Sequence, residues 1–221
     1  MALNLDQQIT PPAPPNLGTP GAVYDQRFET QSFGGLNVYF GKLTALFSAL
    51  FGRRGGKWIN SPYGAFEDTT DQTAANTTTA YAIAFNTTNF SNGVTLSNSS
   101  RLNVAQAGIY DIQFSLQFKN TDNDGQDADV WFRKNGTNIA NSNSRFHISA
   151  RKSSGDPSHL IAAMNFFVSL AANDYVEIMW RPTNIAVSLE HFAASSTPDR
   201  PVIPSVIATL TFVSNLSTET A

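Results

Sequence analysis

The chain has no cysteine in its 221 residues, which excludes disulfides and thiolate zinc sites and leaves packing and association to supply robustness. Charge is scarce too: Asp, Glu, Lys and Arg make up 14% of the sequence, against about 25% in an average globular protein. The net charge of −3 provides no basic field for a phosphate backbone, which disfavours charge-driven nucleic-acid binding. No stretch approaches the roughly 20 consecutive apolar residues of a membrane span. The opening Met1-Ala-Leu-Asn-Leu-Asp6 has neither a basic segment nor an apolar run of signal-peptide length, and the expectation is synthesis in a cytosol without a classical export signal.

What is present is a core's worth of apolar mass. Hydrophobic residues make up 41% of the chain and include 16 Phe, enough for one β-sandwich domain with a smaller appendage. Asn, Thr, Ser and Ala are abundant, and a surface of amides and hydroxyls suits close contacts between like subunits.

Three segments follow one another. Residues 1–34 are rich in Pro and Gly, as in Thr10-Pro-Pro-Ala-Pro-Pro15 and Gly18-Thr-Pro-Gly21, and predict an extended arm: a linker or a segment that docks on a partner. Leu36, Phe40, Leu43, Phe47 and Leu50 then recur at spacings of four and three, one helical stripe, closed by Gly52-Arg-Arg-Gly-Gly56. Two heptads are too short for a stable helix alone, so Leu36–Phe51 must pack on its own domain, on the same helix of neighbouring protomers, or on another partner. Residues 35–56 are accordingly an amphipathic helix with its linker, residues 57–214 the main domain and 215–221 a tail.

From about Tyr63 the period falls to two. Candidate strands are Ala80–Phe85, Arg101–Val104, Gly108–Phe118, Ala128–Arg133, Phe146–Ser149, His159–Leu170, Tyr175–Trp180, Val187–Leu189 and Ser205–Val213. Asn92-Gly93 and Asn135-Gly136 are tight-turn dipeptides. So many short strands without a helix-period segment among them indicate an all-β antiparallel sandwich or jelly roll.

Two strands are apolar on both faces. Leu160, Ala162, Met164, Phe166, Val168 and Leu170 form a core side, yet Ile161, Ala163, Asn165 and Phe167 alternate with them. The last strand repeats this, with Ile207 and Val213 opposite Val206, Ala208, Leu210 and Phe212. A helix or another subunit must cover the second face. The strand Gly108–Phe118 instead has a polar second face, including Asp111 and Gln113.

The run Ala107-Gly-Ile-Tyr-Asp-Ile-Gln-Phe114 resembles the Gly-x-Tyr strand of the tumour-necrosis-factor and complement globular-head superfamily. Phe167-Val-Ser-Leu170 followed by Asn173-Asp-Tyr-Val176 is similar to that family's strand, Gly-Asp turn and strand, with Asn173 in the glycine's place. Pro201-Val-Ile-Pro-Ser-Val206 leading into the last strand adds to the likeness. One departure is Leu102, where a Phe commonly precedes the Gly-x-Tyr strand. Trp131-Phe-Arg-Lys-Asn-Gly-Thr137 with Asn141-Ser-Asn-Ser-Arg-Phe146 resembles bacteriophage structural proteins, particularly of marine phages, that join a Pro-rich arm and a helix to such a domain. The resemblance covers roughly residues 36–213. It implies a tumour-necrosis-factor-like jelly roll, a tight homotrimer, and Asp111, Gln113, Ile161, Ala163, Asn165 and Phe167 close to its three-fold axis.

Sites of chemistry are few. His147, His159 and His191 sit in no nucleophile or zinc motif, so no catalytic residue and no enzyme are indicated. Asp122, Asp124, Asp127 and Asp129 surround Gly125, a weak calcium candidate whose spacing fails the helix-loop-helix pattern and which reads better as a solvated hairpin loop. No cofactor or metal is expected. Trp58, Trp131 and Trp180 are either core residues or sugar platforms.

The expectation is a non-enzymatic, trimeric phage virion protein, assembled in the host cytoplasm and anchored by its arm and helix to other virion proteins. It projects a jelly-roll head, as a tail fibre, appendage or capsid decoration, for assembly or for attachment to a host glycan or receptor. The alternatives are a secreted receptor-binding trimer and a jelly-roll carbohydrate-binding protein.

Overall fold

The computed structural model describes residues 12–17, 19, 21–23, 25–51 and 61–215, with only the backbone of residues 49–51. The chain divides into two units, Met1–Asn60 with Ser217–Ala221, and Ser61–Leu216.

Among the described residues the first unit contains one helix, α1 (Gln26–Phe51). It begins ten residues before the start expected from the apolar stripe, so residues 26–34, expected in the arm, are helical. Asp25 starts it: its carboxylate accepts the Arg27 amide at 2.8 Å and its carbonyl accepts the Glu29 amide at 3.2 Å. Glu29 in the first turn complements the positive end of the helix. Residues 12–17 are neither helix nor strand, and a Cβ on Gly35 would stand 3.6 Å from Pro15 and 3.8 Å from Leu17. That part of the arm therefore lies on the first half of the helix. The rest of the arm's N-terminal stretch, the Gly52–Gly56 stop signal and Trp58 lie outside the described residues.

The second unit is almost entirely antiparallel β. In chain order its strands are β1 (Tyr63–Asp68), β2 (Gln72–Thr73), β3 (Tyr81–Ala82), β4 (Thr87–Asn92), β5 (Val94–Ser97), β6 (Arg101–Val104), β7 (Gly108–Asn120) and β8 (Gln126–Lys134). Then come β9 (Thr137–Asn138), β10 (Ser144–Ile148), β11 (Ser158–Leu170), β12 (Tyr175–Pro182), β13 (Val187–Leu189), β14 (Ser195–Ser196), β15 (Asp199–Arg200) and β16 (Val206–Ser214).

Two sheets form. The first runs β4-β1-β16-β7-β11, with β13 and β2 continuing beside the far end of β7. The second runs β5-β6-β12-β8-β10, with β3 on β12 and β9 on β8. β14 and β15 make a separate ribbon.

Period-two alternation packs the sheets on each other. Tyr110, Ile112, Phe114, Leu116 and Phe118 of β7 and Val206, Ala208, Leu210 and Phe212 of β16 meet Val130 and Phe132 of β8 and Val176, Ile178 and Trp180 of β12 in one core. Every member of that core lies between Phe66 and Phe212, so the β unit carries its own hydrophobic interior.

The turn dipeptides have different outcomes. Asn135 and Gly136, at φ 48° and 82°, close a two-residue hairpin in which Lys134 faces Thr137. Gly93, at φ 67°, makes no hairpin: β4 pairs with β1 and β5 with β6, so the chain crosses there from one sheet to the other. Asn173 adopts φ 70° between β11 and β12, the backbone state that glycine would supply.

Candidate functional site

Strand β7 runs its whole length against β11, and its other edge is shared by β16 and then β13. The registers align side chains in rows on the outer face of the first sheet: Phe167-Asp111-Thr211, Asn165-Gln113-Thr209 and Ala163-Ser115-Ile207. The expected interface residues are thus brought to one surface. Ile161, Phe167 and Ile207 are 65%, 61% and 44% exposed, large values for side chains of this size. Val213 sits in a β-bulge of β16 and is half-buried.

Asp111 stands near the middle of this face. The Gln113 side-chain amide donates to its Oδ2 at 2.7 Å, while Oδ1 is buried with no hydrogen-bond partner among the described residues. Tyr63 and Phe90, which the sequence did not single out, extend the apolar surface across β1 and β4 with their rings 6.0 Å apart.

The surface runs to an open edge. Among the described residues β11 pairs with β7 alone, and over its 13 residues its one titratable side chain is His159. Apart from the Lys134 ammonium, which donates to the Ser169 carbonyl at 3.0 Å, this edge has little charge to guard it against pairing with another chain. On its inner side Leu160, Met164 and Phe166 reach the core but remain half-buried, with Phe166 stacked 5.1 Å from Phe132.

On α1 the expected stripe is split. Leu36 and Leu43 are half-buried, Phe40 and Phe47 are 55% and 49% exposed, and the side chain of Leu50 lies outside the described residues. Phe33, 64% exposed, extends the line of phenylalanines by seven residues. Phe33, Phe40 and Phe47 with Leu36, Leu43 and Leu50 are therefore successive a and d positions of a heptad. No described helix is long and apolar enough to cross a membrane.

The acidic loop does not converge. Asp122 accepts hydrogen bonds from Gln126 and Asn184, Asp127 pairs with His147 at 2.8 Å, and Asp129 is clamped by Arg145 and Arg181; Asp124 is exposed. Among the described residues no three His, Asp or Glu side chains gather as metal ligands. His159 pairs with Glu190 and His191 with Asp71, each at 2.7 Å.

The tryptophans divide. Trp180 is in the core, 1% exposed, whereas Trp131 lies on the outer face of the second sheet, its indole N–H donating to the Asn138 side chain at 2.8 Å. Beside it is a shallow cleft of about 410 Å³ walled by Asn138, Asn141 and Asn143, by Arg181, and by Thr78 of the loop before β3. Asp129, 4% exposed, lies at its base. Hydrogen bonds from Arg145 hold its carboxyl below the usual carboxylate range against the opposing effect of burial, and Arg181 adds to them.

No protein-family model matches the chain, and no curated protein matches it either.

Proposed function

We propose that this chain is a non-enzymatic, trimeric bacteriophage virion protein whose β unit is a jelly roll of the tumour-necrosis-factor and complement globular-head kind. The observation that carries the proposal is the outer face of the first sheet, where Ile161, Phe167 and Ile207 lie exposed and run to the edge strand β11. Burying that face and edge against like copies removes both liabilities at once.

Strand order supports the jelly-roll part. The chain alternates between sheets from β6 to β7, β7 to β8, β10 to β11 and β11 to β12, and the first and last long strands, β1 and β16, lie side by side. The three-fold arrangement and the phage origin rest on the resemblance of the Gly108–Phe114 and Trp131–Phe146 segments. The heptad of Phe33–Leu50 supports a helix that joins its copies or another virion protein. In this reading residues 1–56 anchor the protein to the particle, and the β unit projects for assembly or host attachment.

Deleting residues 1–56 tests the division of labour. The β unit keeps its whole core, so the truncated protein is expected to remain a trimer and to be lost from purified particles. Unchanged incorporation would rule out an N-terminal anchor.

A further inference from the structure

We propose that the cleft beside Trp131 binds a carboxylate-bearing sugar of a surface polysaccharide. Three features of one protomer meet there. The first is an aromatic platform: Trp131 lines the cleft, and its N–H bond to Asn138 fixes the indole, so the ring presents a pre-set surface to the C–H face of a pyranose. Ile139 and Ala80 add apolar lining next to it.

The second is a set of unused amides. Asn141 and Asn143 are exposed and make no hydrogen bond within the described residues, while Asn138 spends only its oxygen on Trp131. A side-chain amide offers both donors and an acceptor, matching sugar hydroxyls, which also do both. Asn141 is held at φ 60°, in the left-handed state that Asn tolerates best among non-glycine residues.

The third is charge. Arg145 binds Asp129 through two nitrogens at 2.8 and 3.1 Å, and Arg181 binds it at 2.9 Å. Arg145, which also feels the Asp127 carboxylate, holds Asp129 from beside the cleft, while Arg181 lines the cleft itself. The buried Asp129 is fully engaged in orienting the two arginines, whose remaining donors make no hydrogen bond within the described residues. A guanidinium fork so placed selects a carboxylate. A neutral sugar would use the platform and the amides but not the free donors of Arg181.

The cleft lies on the second sheet, facing away from the surface proposed to join protomers. The inference deepens the attachment part of the proposed function and rests on that part alone. Trimer mass and particle incorporation are read separately from sugar binding, so either can fail without the other.

The test is calorimetric titration of the full-length protein with acidic oligosaccharides, oligogalacturonate and sialyllactose, beside the neutral maltotetraose and lactose. Saturable binding of an acidic oligosaccharide is expected, with its neutral counterpart at least about tenfold weaker, the equivalent of one good charge-assisted contact. Trp131→Ala and Asn143→Glu should each weaken it at least about tenfold with mass and melting temperature unchanged. Asn143 is exposed, so its variant decides the matter if Trp131→Ala fails to fold. No saturable acidic binding, equal binding of neutral sugars, or an affinity that Asn143→Glu leaves unchanged would overturn the assignment.

Discussion

Phe167 on β11 stands directly across from Asp111 on β7, so a 61% exposed phenyl ring and a carboxylate with an unpaired buried oxygen share one row of the same sheet face. The exposed ring is a poor neighbour for water, and a second copy of the chain would cover it. Phe167→Glu should therefore dissociate the protein. Light scattering is expected to give the mass of one chain with an unchanged far-ultraviolet circular dichroism spectrum, because the side chain contributes nothing to the core. An assembly of unchanged mass would remove Phe167 from the interface.

Gly108 and Phe212 explain the glycine of the Gly-x-Tyr strand. A Cβ at Gly108 would run into the Phe212 ring and stand 2.9 Å from the Ser214 carbonyl oxygen, while the same ring packs edge-on to Tyr110 at 5.6 Å. Gly108→Ala is expected to cost about 1–3 kcal/mol as overpacking. In a domain of this size that lowers the melting temperature by about 2–4 °C per kcal/mol. Thermal denaturation checks it, and an unchanged midpoint would show that the ring moves aside freely.

Tyr110 makes stability pH-dependent at the alkaline end. Its buried hydroxyl donates to the Gln106 carbonyl at 2.8 Å, and burial pushes its pKa up to about 12. The unfolded chain releases this proton near pH 10, at the ordinary tyrosine value, so the stabilising contribution is complete below about pH 10 and is lost as pH rises toward 12. Tyr110→Phe should lose about 1 kcal/mol at neutral pH and flatten the decline in melting temperature between about pH 10 and 12. An equally steep decline in the variant would place its cause elsewhere.

Much of the sandwich was legible because β7, β11 and β16 alternate cleanly, and a strand with one face in a core can hardly do otherwise. The same alternation located the two-sided apolar character of β11. β1 escaped because Gly64, Ala65 and Phe66 are buried in succession around a register shift, which breaks the period. β4, Thr-Thr-Asn-Phe-Ser-Asn, is an edge strand with a single apolar residue, so composition alone hid it. The first ten residues of α1 were masked by Gly34-Gly35, which cost a helix about 1 kcal/mol each relative to Ala.

The cleft was less visible still. Val130-Trp131-Phe132 is apolar throughout, and only pairing with β12 decides that the indole faces outward. Asn138, Asn141 and Asn143 look like any of the many Asn in this chain, and Arg181 joins them from β12 through the folded sheet alone. Asn92-Gly93 announced a positive φ correctly but could not say to which sheet the chain would turn.

Self-association is the claim on which the rest depends, and light scattering of the intact protein measures it directly. A mass of three chains of 24.0 kDa, constant over dilution through the micromolar range, is expected. A mass of one chain at those concentrations would contradict it and leave the face of Ile161, Phe167 and Ile207 without the partner proposed for it.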